Sequence, residues 1–169
     1  MKVFISHKKE DETTATDVFK TLVARGHTPY LDVIDGNLAK SGDDLAHYIR
    51  MRLGECDSLI AVISEKTKDS WWVPWEIGVA TEKDYPLSTY LTGYASPPEY
   101  LKKWPVLRTL THLAEFASKL STLQREIETE IKRKEAATFT RLSQAARDDV
   151  ERSEVAKFHQ AVKNAIGQS

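Results

Sequence analysis

Apolar residues change their spacing repeatedly along the first half of this chain. "KVFIS" (2–6) is a short β-branched and aromatic run, ended by the polar turn "HKKED". From Asp11 to Arg25, the positions Ala15, Val18, Phe19, Leu22 and Val23 recur at helical spacing, and Gly26 supplies the stop. "TPYLDV" (28–33) reads as a second strand, followed by the Gly/Asp/Asn-rich loop "IDGNLAKSGDD". Leu45, Ile49 and Leu53 line one face of a helix that closes at Gly54. "SLIAVIS" (58–64) is continuously apolar, the pattern of a strand covered on both faces. Ser70 is placed to cap a helix beginning at the tryptophans, where Pro74 is tolerated because it falls in the first turn. "PLSTYL" (86–91) is a fourth strand. Strand and helix alternate, which predicts an α/β fold with a parallel sheet wrapped on both faces.

Between 93 and 105 the chain reads as a loop, with Pro97, Pro98 and Pro105 around a short helix containing Tyr100 and Trp104. A fifth strand near "VLRTL" (106–110) carries a weaker signal. Beyond it, Leu113, Phe116, Leu120, Leu123, Ile127 and Ile131 are three or four apart and predict one long amphipathic helix. A second helix is expected from about Phe139, with Leu142, Ala146, Val155, Phe158, Val162 and Ile166 on an imperfect stripe. This tail either packs on the sheet or forms a hairpin for association, since its spacing suits both. The expected division is a sheet domain over 1–125 and a helical extension over 126–169.

Composition narrows the class. At 169 residues, 41% hydrophobic and 29% charged, the chain can build one real core. Its 24 basic and 25 acidic residues leave no net field, so neither nucleic acid nor membrane is expected as a partner. The single cysteine, Cys56, precludes an internal disulfide and fits a reducing compartment. The opening "MKVFISHKKED" holds too short an apolar run for a signal peptide, and a cytoplasmic location is expected.

In an open α/β sheet, ligands bind beyond the carboxyl ends of the strands. Those ends deliver Ser6, His7, Lys8 and Lys9, then Asp32 with the loop to Asp43, then Ser64 to Ser70 leading into Trp72 and Glu76. Glycine patterns for dinucleotide or P-loop phosphate binding are absent, as is the GxSxG of serine hydrolases. The five histidines show no metal-ligand spacing with Cys56, so no metal is expected. Trp72 and Glu76 are four apart and share a helix face. On spacing alone, the tryptophans serve packing or a site, Lys8 and Lys9 a solvated turn or phosphate contacts, and His7 a turn or a site.

The order of these signals resembles that of the TIR domain, the Toll/interleukin receptor family. "KVFISHKKED" is similar to its opening strand and loop. "YLDVIDGNLAKSGDDLAHYI" is similar to its second strand, mobile loop and following helix. In "CDSLIAVISEKTKDSWWVPWE", Ser70, Trp72 and Glu76 match the family's S-x-W-x-x-x-E pattern position by position. The resemblance covers roughly residues 1–120 and implies a flavodoxin-like parallel sheet of four to five strands plus a C-terminal helical extension. It implies that Glu76 is catalytic for cleavage of NAD+ at the nicotinamide–ribose bond, with NAD+ a substrate and not a cofactor. Ser6, His7, Lys9, Leu38 and Trp72 fall at positions that contact substrate in the family. A short TIR chain of this kind looks like bacterial antiphage defence proteins of the Thoeris type. That likeness implies self-association through TIR surfaces and a separate effector protein that responds to the product. Two other readings compete: a non-catalytic TIR adaptor, and a nucleoside deoxyribosyltransferase-like enzyme, which also uses a glutamate on such a sheet.

Overall fold

The computed structural model describes residues 1–33, 42–66, 72–97 and 99–168. Among them, strands β1 (Lys2–His7), β2 (Thr28–Val33), β3 (Ser58–Ile63), β4 (Leu87–Leu91) and β5 (Val106–Leu107) form one sheet. Its order is β2-β1-β3-β4-β5. Every neighbouring pair is parallel, giving the flavodoxin-like arrangement. The helices are α1 (Glu12–Ala24), α2 (Gly42–Gly54), α3 (Trp72–Glu82), α4 (Leu110–Thr138) and α5 (Gln144–Ala165).

Two apolar clusters, one on each face of the sheet, hold these elements together. Phe4, Leu59, Ala61, Ile63, Leu87 and Leu91 meet Ile49 and Leu53 of α2 and Ile77 and Ala80 of α3. On the other face Val3, Ile5, Ile60, Val62 and Tyr90 meet Ala15, Val18 and Leu22 of α1. The helix pair α4–α5 covers that same second face. β3 is buried along its whole length, which is why its sequence is apolar at every step and does not alternate.

Tail helices α4 and α5 pack on the sheet. Leu113, Phe116, Leu120 and Leu123 of α4 and Val155, Phe158 and Val162 of α5 belong to the cluster that contains Val3 and Ile5. Phe116 and Phe158 meet edge to face, 5.3 Å between ring centres. The expected 125/126 boundary falls inside α4, which is continuous through it. The second tail helix starts at Gln144, not near Phe139. Phe139 takes a left-handed conformation (φ 53°) that ends α4, and the Ser143 hydroxyl accepts from the Ala146 N–H to begin α5. The short helix expected around Tyr100 is a 3₁₀ turn, Glu99–Lys103.

Polar contacts fix the ends of the tail on the sheet. His159 Nε2 accepts from the Leu87 N–H at 2.9 Å, at the start of β4. His27 Nε2 donates to the Ala117 carbonyl at 2.9 Å, joining the turn before β2 to α4. The side-chain amide of Gln168 takes both outward groups of Val106, accepting from its N–H at 3.0 Å and donating to its carbonyl at 2.5 Å. One amide thus stands in for a neighbouring strand on the open edge of β5. Among the described residues, no helix is long and apolar enough to cross a membrane.

Candidate active site

Ser6 is the next-to-last residue of β1 and pairs in register with Asp32 of β2 and Ala61 of β3. Ala61 in turn pairs with Thr89 of β4. Alternation along the strands sends Ser6, Ala61 and Thr89 to the face covered by α2 and α3. One step earlier, Phe4, Leu59 and Leu87 occupy the same face with large side chains. At the level of Ser6, Ala61 and Thr89, then, this face of the sheet is small and partly polar, between the bulky layer of Phe4, Leu59 and Leu87 and the bulky Ile63 and Leu91 beyond. That layer leaves room for a side chain from above.

Glu76 supplies it. It lies in α3 beside Ile77 and one turn before Ala80, both part of the apolar core of that face. The helix follows β3 and crosses back over the sheet, so the carboxylate meets a strand seventy positions away in sequence. The Ser6 hydroxyl donates to Glu76 Oε2, and both residues are 0% exposed. A carboxylate wholly removed from water is tolerated only when polar groups replace its hydration. Ser6 is one such group, at the topological switch point between β1 and β3 where α/β sheets place their ligand sites.

The remaining predicted residues divide. His7 is also 0% exposed, but as the next residue of β1 it sits in phase with Val3 and Ile5, facing away from Glu76. Lys9 lies exposed in the 3₁₀ turn Lys9–Asp11 that follows β1. Asp11, in that turn, is buried and was not singled out from the sequence. Leu38 and Ser70 fall outside the described residues, as does the side chain of Trp72; its backbone opens α3. Trp75 packs against the apolar cluster beneath α3.

Other reactive groups lie elsewhere. Cys56 is buried next to the amino end of β3, and burial above all, with Asp57 beside it, pushes its thiol up to about 11. A 440 Å³ cavity lined by Cys56, Asp57, Tyr85 and Leu123 lies at that same amino edge, the end of the sheet opposite Glu76. Among the described residues, no three His, Cys, Asp or Glu side chains are grouped to hold a metal ion.

Comparison with known proteins agrees with this fold. Residues 3–91, just over half of the chain, match the TIR domain family. The matched stretch runs from β1 to the end of β4 and contains Ser6 and Glu76. A probable 3' cyclic ADP-D-ribose synthase ThsB' of Bacillus cereus (strain MSX-D12) is 30% identical over 79 residues. That alignment spans 45% of this chain and 41% of the relative. In three dimensions, the chain is similar to a 2-deoxyribosyltransferase of Bacillus psychrosaccharolyticus. The TM-score is 0.54 and the identity 12%, with 68% of this chain and 90% of the other covered. At that identity the likeness is one of fold.

Proposed function

The chain belongs to the TIR domain family, and from that premise we propose that it cleaves NAD+ at the nicotinamide–ribose bond with Glu76 as the catalytic residue. The observation that carries this reading is the buried Glu76 carboxylate, held by Ser6 at the carboxyl edge of the sheet. Nicotinamide leaves as a neutral molecule, so the leaving group needs no general acid. The difficulty is the positive charge that develops on the ribose, as in glycoside hydrolysis. A carboxylate already stripped of water, and oriented by a hydroxyl, interacts strongly with that charge and with the ribose hydroxyls. In this reading Trp72 stacks on the cationic nicotinamide ring, and Lys9 and Leu38 contact the rest of the substrate.

The acceptor decides the product. Water gives ADP-ribose, an internal nucleophile gives a cyclic ADP-ribose isomer, and a third molecule gives a conjugate. The partial likeness to a probable cyclic ADP-D-ribose synthase supports a cyclic product. In this reading the product is a signal in bacterial antiphage immunity, made in the cytoplasm and received by a separate effector protein. Glu76 has no exposed surface, so the substrate reaches it only after a conformational step. Activity is therefore conditional, on a trigger or on self-association through TIR surfaces, and the apparent affinity for NAD+ is reduced by the fraction of open molecules.

Incubation with NAD+, alone and with lysate of phage-infected cells, tests this directly. Nicotinamide release is expected from the wild type and a loss of about 10²-fold or more from Glu76→Ala. Mass spectrometry of the second product then identifies the acceptor. Equal release by the two proteins ends the catalytic assignment. The full burial of Glu76 also suits a TIR adaptor in which the Ser6–Glu76 bond is purely structural. That reading predicts no NAD+ turnover under any condition, and a complex with another TIR protein that survives Glu76→Ala.

A further inference from the structure

Beyond β5, at the edge of the sheet, a separate 330 Å³ cavity is lined by Lys102, Arg108, Lys163 and Gln168. It shares no lining residue with the Ser6–Glu76 pair. Its three cations come from three different places in the fold. Lys102 is in the 3₁₀ turn before β5, Arg108 follows β5 directly, and Lys163 is in the last turn of α5. Such convergence does not follow from local sequence.

The partners of these cations leave charge uncompensated. Lys102 pairs with Glu99 at 2.5 Å. Arg108 donates from Nη2 to the Ala95 carbonyl at 3.1 Å, and Lys163 Nζ donates to the Lys102 carbonyl at 2.8 Å. Main-chain carbonyls orient these two groups without neutralising them. Among the described residues neither Arg108 nor Lys163 forms an ion pair. The Gln168 amide, bonded twice to Val106, forms the cavity wall on the α5 side.

We propose that this cavity is a binding site for a small phosphoryl-bearing anion. A guanidinium fork and a nearby ammonium match the tetrahedral oxyanion of a phosphate, and the carbonyl contacts hold both in place before the ligand arrives. The cavity volume falls at the small end of the range for ligand sites, that of pyrophosphate or one mononucleotide. Binding joins the turn before β5, the end of β5 and the end of α5, so the anion stabilises the docking of the C-terminal helix. The site is independent of NAD+ cleavage.

Calorimetric titration of the full chain with inorganic pyrophosphate, at low ionic strength, tests the proposal. Wild type is expected to bind, with affinity that falls as salt is added. Arg108→Ala and Lys163→Ala should each weaken binding up to about fivefold, and the double variant more than either. Pyrophosphate should also raise the melting temperature of the wild type and leave that of the double variant unmoved. Glu76→Ala should bind pyrophosphate as the wild type does, which separates this site from the proposed active site. ADP and adenosine identify the source: ADP tighter than pyrophosphate assigns a nucleotide phosphate, equal affinity assigns free phosphate, and adenosine should not bind through this cavity. No binding of pyrophosphate by the wild type, or equal binding by the double variant, overturns the proposal. Both substitutions fall on the protein surface, so loss of folding does not confuse the result.

Discussion

Glu76 and Ser6 show how much a single side chain depends on its partner. The sequence singles out Glu76 through S-x-W-x-x-x-E, and singles out Ser6 separately as a substrate contact. The structure joins them, with the Ser6 hydroxyl on the carboxylate and neither residue exposed. Ser6→Ala is therefore expected to cost about 1–3 kcal/mol, because it leaves a buried acceptor short of a donor. In a double-mutant cycle with Glu76→Ala, urea denaturation should show a coupling of about 1 kcal/mol or more. Additive effects would mean that the hydrogen bond contributes nothing. His7 teaches the converse lesson: one step along a strand reverses the face, so residues adjacent in sequence fall on opposite sides of the sheet.

At the scale of elements, periodicity located most of the fold. β2 spans Thr28–Val33, the same residues as "TPYLDV", because β-branched and aromatic residues between Gly26 and a polar loop leave little choice. A helical stripe drawn through Phe139 puts the start of α5 five residues early, because the backbone reverses there in a left-handed turn and α5 begins at Gln144. The Ser143 cap was a legible signal that the stripe obscured. How α5 docks was not legible, since it rests on His159, which accepts from a strand seventy-two positions away. Burial chiefly, with Lys103 and Lys163 near, lowers the His159 pKa from 6.5 to about 4. The folded state thus binds this proton less readily than the unfolded chain does. Stability contributed here is complete above pH 6.5 and is lost as pH falls toward 4, in total about 3 kcal/mol at 1.36 kcal/mol per unit. Chemical denaturation at pH 7, 5.5 and 4 should show this loss in the wild type and a shallower slope in His159→Gln. Equal slopes would remove His159 as the cause.

For the whole molecule, the TIR match ends at residue 91, yet the core does not end there. α4 and α5 complete the cluster that includes Val3 and Ile5, and Gln168 closes the edge of β5. A fragment of residues 1–125 would expose that apolar face, since the α5 side chains Val155, Phe158 and Val162 would be gone. It is expected to aggregate or to melt without cooperativity, measured by light scattering and calorimetry. A soluble fragment with an unchanged melting temperature would show the extension to be a separable part. The sequence by itself determined the α/β class, the strand and helix order and the candidacy of Glu76, because local spacing and short motifs carry that information. Only the tertiary structure decided that Ser6 holds Glu76, that His159 accepts from the Leu87 N–H, and that Arg108, Lys102 and Lys163 meet at one cavity. Each of these is a contact between elements far apart in the chain. Such contacts are set by strand order and by the face on which a helix returns, and no local pattern of residues encodes them.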